Sequence, residues 1–381
     1  MNDLSASPDP WTEVLNWLRS RAASGAKLHA DSRRVQSGDI FFALPGSQSE
    51  ADRYVDDALE RGAAAVLLSV EGRQRRCREL DPRKPDERIY EFAQLEAVAG
   101  ELAARYLGHP SRRLPVVAVT GTNGKTSVSH WIAQAWPGKA ALIGTLGAGV
   151  FNDQQEPLEA FGLTTPDAVL LQQMLQDFLA QGAGLVAMEA SSIGLEQGRL
   201  QGLEPAVAVF TNLSRDHLDY HPDMQAYARA KARLFGLLKP GVGNGQAVIH
   251  ADDAWSQPMI EACPDGCTIW LYSIEDQPAA SRALADRFRA RLLWAAYTPV
   301  DDESLLQWSL FAPGEPEAVA GGALRLRLMG RFNAANALAV ACALMALGQS
   351  SGQTMASLAR LTPVPGRMQC FKSPCSPLVV V

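Results

Sequence analysis

Gly121-Thr-Asn-Gly-Lys-Thr126 has the residue types of a phosphate-binding turn. The N–H groups of a glycine-rich turn and of the helix start after it form a positive concavity. The lysine adds a point charge, and the threonine hydroxyl is available to Mg²⁺. The context agrees. Val116-Val-Ala-Val119 is the β-branched apolar run of a buried parallel strand, and 127–136 has the pattern of a helix. The loop is shorter than the general P-loop pattern, whose first glycine would fall on Val119. Nucleoside triphosphate binding is the first expectation, with Lys125 a solvated charge in the free protein.

Two further groups follow apolar strands. Met188-Glu-Ala-Ser-Ser192 would project Glu189 from the same sheet edge as the phosphate turn. The segment 211–221, Thr-Asn-Leu-Ser-Arg-Asp-His-Leu-Asp-Tyr-His, crowds two histidines and two aspartates into one loop. A hard cation beside phosphate oxygens takes one or two protein oxygens plus water, so Glu189 and the pair Asp216-His217 are metal-site candidates. A lone glutamate at a strand end is more often simply solvated; the neighbouring phosphate loop favours the ligand reading. On pattern alone Lys231, in an alanine-rich helix, reads as a surface lysine.

Strands and helices must place these groups. Trp11, Val14, Leu15 and Leu18 share a helical face. Strands are expected at 40–44 and 64–70, with helices at 51–61 and 95–107. Residues 111–115, with two prolines nearby and paired arginines, read as a linker. From 115 onward strands (140–143, 185–189, 206–210, 247–249) alternate with helices (168–181, 224–238). That alternation predicts an α/β fold with a doubly wound, mostly parallel sheet carrying its chemistry at the C-terminal strand ends. Residues 270–328 are strand-rich, suggesting an antiparallel flank. The final 377–381 opens a strand with no evident partner, as though a further domain had been cut off.

The chain has 381 residues, 47% apolar and 20% charged, enough for two or three ordinary globular domains. Its net charge of −6 argues against general nucleic-acid binding. Six scattered cysteines lack zinc spacing and read as free thiols of a reducing compartment. The N-terminus has no signal-peptide pattern, and the longest apolar helix, near 334–347, is too short for a bilayer. The expectation is a cytoplasmic monomer without membrane or nucleic-acid partners.

The phosphate turn, Thr164-Thr-Pro-Asp167, Met188-Glu-Ala-Ser-Ser192 with Gln197 and Arg199, Asn212-Leu-Ser-Arg-Asp-His-Leu-Asp219 and Ala230-Lys-Ala-Arg-Leu-Phe235 occur in an order that resembles the Mur ligases of peptidoglycan synthesis. Asp31-Ser-Arg33 with Gly38, Asp39 and Phe41 is similar to their uridine-binding domain. Gly330-Arg-Phe-Asn-Ala-Ala-Asn336 and Pro365-Gly-Arg-Met368 match later motifs. The resemblance implies a UDP-substrate domain at 1–112, a central ATP-binding domain at 113–364, and at 365–381 only the start of a C-terminal Rossmann-like domain. It implies the subgroup that adds the third stem-peptide residue, most often meso-2,6-diaminopimelate, to UDP-MurNAc-L-Ala-D-Glu through an acyl phosphate.

The implied roles follow residue by residue. Ala30, Ser32 and the loop Ser47, Gln48, Ser49 match contacts to the UDP end. Gly121, Thr122, Asn123, Gly124, Lys125, Thr126 and Ser127 match the ATP phosphate loop, and Asn333 and Asn336 a motif near the nucleotide. Thr164, Thr165, Ser191, Gln197 and Arg199 match contacts to the muramoyl-dipeptide. Thr126, Glu189, His217 and Lys231 match the Mg²⁺ site, Lys231 as a carbamate formed with CO₂. Lys125, Lys231 and His217 would be the catalytic set. Ile193 departs from the family, which usually has histidine there. Two alternatives stay open: a sister amide ligase (another Mur ligase or folylpolyglutamate synthase, the latter disfavoured by Asp31-Ser-Arg33 and Thr164-Thr-Pro-Asp167), and a non-catalytic module that binds UDP-substrate and nucleotide without turnover. With the third domain missing, 1–381 would bind but not ligate.

Overall fold

A computed structural model describes residues 10–44, 54–69, 86–151, 158–241, 245–300, 303–367, 371–373 and 376–380. The chain divides into two compact units. One comprises Met1–Pro110, Pro166–Asp177 and Gly198–Leu203; the other comprises Ser111–Thr165, Phe178–Gln197 and Glu204–Val381.

The first unit is built on four parallel strands in the order β1 (Leu28–His29), β2 (Ile40–Ala43), β3 (Ala65–Ser69) and β4 (Ile89–Phe92). Alternate strand residues face opposite sides, as the pleat requires. Ile40, Phe42, Ala65 and Leu67 join Val14, Leu18, Leu95 and Leu102 of the helices Pro10–Arg21 and Leu95–Tyr106. Phe41, Ala43, Val66 and Leu68 join Val55 and Ala58 of the helix Val55–Glu60. Asp39 anchors the turn before β2, accepting Lys27 N (3.0 Å), Gln36 N (3.0 Å) and His29 Nε2 (2.9 Å).

The second unit holds a ten-stranded sheet. Its strands are β5 (Val116–Thr120), β6 (Ala140–Gly144), β7 (Gly147–Phe151), β8 (Leu185–Glu189), β9 (Val207–Phe210), β10 (Gln246–His250), β11 (Thr268–Ser273), β12 (Arg291–Val300), β13 (Glu303–Phe311) and β14 (Ala320–Leu326). They lie in the order β14-β13-β12-β11-β10-β9-β5-β8-β6-β7. From β6 through β12 every pairing is parallel, while β7, β13 and β14 are antiparallel to their neighbours. The parallel strands β5 and β8 are buried at every position, which is why they read as unbroken apolar runs. The helix Arg331–Ala346 is buried nearly all round. Its alanines let it pack closely on the sheet and on the helix Lys125–Ala135.

Several expectations need correction. The expected linker 111–115 is mostly a short helix, Pro110–Arg113, because its arginines sit comfortably in a last turn. The helix expected over 224–238 stops at Ala232 and continues as a 3₁₀ turn, Phe235–Leu237. The final strand, Ser376–Val380, is not alone: it pairs antiparallel with Phe371–Ser373. The antiparallel flank also contains a helix, Ala279–Phe288. Among the described residues no helix is long and apolar enough to cross a membrane.

Gly100 shows which of two effects wins within the first unit. Alanine is worth about 1 kcal/mol over glycine inside a helix. A Cβ at Gly100, however, would press on the Gln201 carbonyl and lie 2.7 Å from the Ala168 Cβ. Overpacking of this kind costs about 1–3 kcal/mol. Gly100→Ala should therefore lower the unfolding free energy in denaturant titration, against helix propensity; a more stable variant would show that the two segments can separate.

Candidate functional site

The phosphate turn follows β5 and is moulded from both flanks. Gly124 caps the helix Lys125–Ala135 in the left-handed region (φ 87°), and a Cβ there would lie 2.6 Å from Asn336 Oδ1. On the other flank Thr122 N donates to Asn212 O (2.8 Å) and Asn123 N to Asn212 Oδ1 (3.0 Å). Lys125 is not the solvated charge expected. Its Nζ folds back onto Gly121 O (2.9 Å) and Thr122 O (2.8 Å), and burial lowers its pKa against the opposing pull of Glu189 and Asp216.

Lys231 is the larger correction. It is 1% exposed rather than a surface lysine, because its helix Met224–Ala232 turns it beneath the loop. Its Nζ donates to Gly121 O at 2.8 Å, the same carbonyl Lys125 uses, and lies 4.5 Å from the centre of the Tyr227 ring. Burial, then the like charge of Lys125, lowers its pKa to about 6, with Asp216 opposing. Tyr227 completes this corner with its hydroxyl 3.2 Å from Thr122 Oγ1.

Glu189 is buried at the end of β8. Thr126 Oγ1 (3.1 Å) and Thr145 N (2.8 Å) donate to its Oε1, and Thr145 Oγ1 (3.2 Å) to its Oε2. Thr165 donates to the Glu189 carbonyl (3.0 Å) and accepts Ser191 N (3.0 Å), and Ser191 Oγ caps the next helix by accepting Gly194 N (3.1 Å). Thr164 Oγ1 lies 3.3 Å from Thr145 Oγ1. Thr126, Thr145, Thr164, Thr165, Glu189 and Ser191 thus form one connected polar cluster. Its adjoining hydroxyl and carboxylate oxygens are the donor chemistry a hard cation such as Mg²⁺ prefers.

His217 stands apart from that cluster. It is exposed, has a positive φ of 51°, and meets Asp216 (3.7 Å) and the edge of Tyr227 (centroids 6.0 Å apart). Among the described residues no three of His, Cys, Asp and Glu converge as a metal site. Gln197 Nε2 reaches Tyr220 OH (3.5 Å), and Asn333 Nδ2 bonds Met329 O (2.9 Å). Ala30, Ser32 and Arg199 belong to the first unit. There Ser32 is buried on a 3₁₀ turn capped by Asp31, and the Arg199 charge acts on Asp167. Ser47, Gln48 and Ser49 lie outside the described residues.

Sequence reasoning passed over Tyr227 and His221. His221 is buried, bonds Ser192 Oγ (2.9 Å) and Glu196 (3.1 Å), and stacks on Tyr227 at 5.1 Å. Serine, histidine and glutamate here resemble a nucleophilic triad, but Ser192 is 1% exposed and no substrate carbonyl can reach it. The network braces Tyr227 instead. Only the closeness of His221 to Asp216-His217 in sequence hinted at it.

The family model described as Mur ligase middle domain matches residues 119–344. A UDP-N-acetylmuramoyl-L-alanyl-D-glutamate–2,6-diaminopimelate ligase of Janthinobacterium sp. is 39% identical over 97% of this chain and 69% of its own length. The ligase of that name from Chromobacterium violaceum is 40% identical over 99% and 70%. A solved structure of such a ligase superposes with a TM-score of 0.70 at 32% identity, covering 91% of this chain and 65% of that one. The chain therefore spans about two thirds of the length of these relatives.

The lowered pKa of Lys231 carries a pH signature. The unfolded lysine keeps its proton to about 10.5 and the folded one loses it near 6, so between these values the unfolded state binds more protons. Stability from this group must rise with pH across that window. In CO₂-free buffer, the stability of the wild type relative to Lys231→Met should climb from pH 6.5 to pH 9 (an order-of-magnitude window). A flat difference would place the amine in contact with water.

Proposed function

The chain belongs to the Mur ligase family, and on that premise we propose that it acts as an ATP-dependent amide ligase of peptidoglycan precursor synthesis. The reaction joins meso-2,6-diaminopimelate to the D-glutamyl γ-carboxylate of UDP-MurNAc-L-Ala-D-Glu. The observation that carries this reading is the convergence of Lys125 and Lys231 on the Gly121 carbonyl, with Thr126, in the first turn of the helix that Lys125 opens, bonded to Glu189 at the end of β8. The choice of diaminopimelate follows the names of the relatives.

In this reading the N–H groups of Gly121 to Ser127 hold the triphosphate. Lys125 leaves the loop carbonyls for the phosphoryl oxygens, where its charge offsets that of the transferring group. The γ-carboxylate takes the phosphoryl group from ATP, and the incoming amine displaces phosphate from the acyl phosphate. Thr164, Thr165, Ser191, Gln197 and Arg199 hold the muramoyl-dipeptide; Ala30, Ser32, Ser47, Gln48 and Ser49 hold the UDP end; Asn333 and Asn336 border the nucleotide. We divide the chain into a UDP-substrate domain at 1–112, an ATP domain at 113–364 and the opening of a third at 365–381.

Lys231 works in this scheme as a carbamate. A lysine with a pKa of about 6 is largely an unprotonated amine at neutral pH, which is the form that attacks CO₂. The nitrogen bonds to carbon and loses a proton, and a buried neutral amine becomes an anion. Thr126, Glu189 and the carboxylated Lys231 are the residues we assign to Mg²⁺, which when bound would neutralise phosphoryl charge; His217, which stands apart from them, would join the site only through a movement of its loop.

Two measurements test the reading. In a form of the enzyme that also carries the third domain, ATP-dependent incorporation of radiolabelled diaminopimelate into UDP-MurNAc-L-Ala-D-Glu should fall by about 10²-fold or more in Lys125→Ala, the scale of a lost transition-state donor. Near-normal turnover in that variant would refute the loop assignment. Lys231→Ala should lose activity similarly and regain part of it with short carboxylic acids, which return an anion to the site. Restoration by a primary amine instead would mean that the lysine acts as a cation.

A further inference from the structure

The phosphate loop rests on the end of β9, and two stacked rings hold that end from its other side. Thr211 is buried just past β9, and its hydroxyl donates to Asn123 O (2.5 Å) and Thr120 O (3.3 Å). That hydroxyl fills the space a side chain at Gly121 would need. Asn212 adds its own bonds to Thr122 and Asn123. The shape of the loop is thus a cast of Thr211 and Asn212.

His250, the last residue of β10, bonds the Thr211 carbonyl through Nδ1 at 2.8 Å. A carbonyl only accepts, so Nδ1 carries the hydrogen. The ring lies flat on Tyr272, with centroids 4.7 Å apart and planes within 2°. The Tyr272 hydroxyl donates to Phe210 O (3.1 Å) and more weakly to Thr211 O (3.4 Å). His250 Nε2 faces Asp252 Oδ2 at 3.4 Å, and Asp252 is itself fixed by Ile274 N (2.8 Å). Asp253 accepts Leu213 N at 2.9 Å. The segment 250–253 therefore grips Thr211 and Leu213, on either side of Asn212.

These side chains are not what pairs β10 with its neighbours, since backbone bonds to β9 and β11 do that. Their bonds go to residues past the end of β9, where the chain turns under the loop. We propose that His250, backed by Tyr272, is a positioning residue for the phosphate loop. It fixes the Thr211 carbonyl, and so the hydroxyl beneath Gly121, in the shape that receives the triphosphate. Pre-organisation of this kind acts on nucleotide affinity and leaves the affinity for the peptide substrate alone. The inference rests on the ATP-binding reading above.

The test is calorimetric titration of residues 1–381 with ADP plus Mg²⁺, and in parallel with UDP-MurNAc-L-Ala-D-Glu. His250→Phe keeps a ring for Tyr272 and loses the donor, and should weaken ADP binding about tenfold, the scale of one net hydrogen bond. His250→Asn, whose amide can reach the same carbonyl, should stay within about threefold of wild type, and peptide-substrate binding should not move in either. Wild-type ADP affinity in folded His250→Phe, an equal loss for both ligands, or no rescue by asparagine would each overturn the proposal. Should His250→Phe fail to fold, Tyr272→Phe decides: a measurable loss of ADP affinity alone supports the proposal and an unchanged one overturns it. A wild-type chain that does not bind ADP would refute the function reading, and this inference with it.

Discussion

Two lysine Nζ atoms meet at one carbonyl oxygen, and much of the second unit is arranged to make that tolerable. Lys125 and Lys231 both donate to Gly121 O from positions 106 residues apart in sequence (231 − 125). Burying even one such charge costs several kcal/mol unless it is well partnered. The site spreads that cost: Lys125 has a second carbonyl and the field of Glu189, while Lys231 has the face of Tyr227 and gives up its proton readily. A concentration of positive charge at the C-terminal ends of parallel strands is what a polyphosphate requires. The free protein therefore already keeps the Lys125 charge beside the phosphate turn, where a polyphosphate would meet it.

The surroundings follow from that constraint. The carbonyl can face two lysines only because Gly121 has no side chain, and Thr211 occupies the room this leaves. Tyr227 can lie over Lys231 only because His221 stacks behind it, anchored in turn by Ser192 and Glu196. Glu189 stays buried and well bonded because Gly144 leaves space beside it. Each polar group at the centre is matched by a small or aromatic residue one step farther out.

What could be read from the sequence divides along the same line. Local signals were legible. The β-branched run before Gly121, the glycine-lysine-threonine turn and the strand-to-loop placing of Glu189 each depend on neighbours in sequence, and the structure contains them as strand, turn and strand end. Lys231 was not legible from its pattern, because burial of a lysine among alanines depends on what packs above the helix. Only the family resemblance drew attention to it. Tyr227, His250 and Tyr272 left no signal, since their partners are supplied by other strands. The flank at 270–328 was read correctly as strand-rich, but its helix, Ala279–Phe288, was hidden among short apolar runs.

The strand order has a consequence for how the molecule comes into being. β5 sits between β8 and β9, so the loop after it cannot take shape until chain 63 to 88 residues downstream has docked on either side. Lys231 and then Asn336 close it from farther still. Non-local pairings of this kind are slow, and domains emerge from the ribosome N-terminus first. The first unit is in a similar position, because its segments Pro166–Asp177 and Gly198–Leu203 interrupt the second. During synthesis, then, neither unit can be finished before the other is well under way. The phosphate loop, among the earliest parts of the second unit to be translated, is among the last to mature.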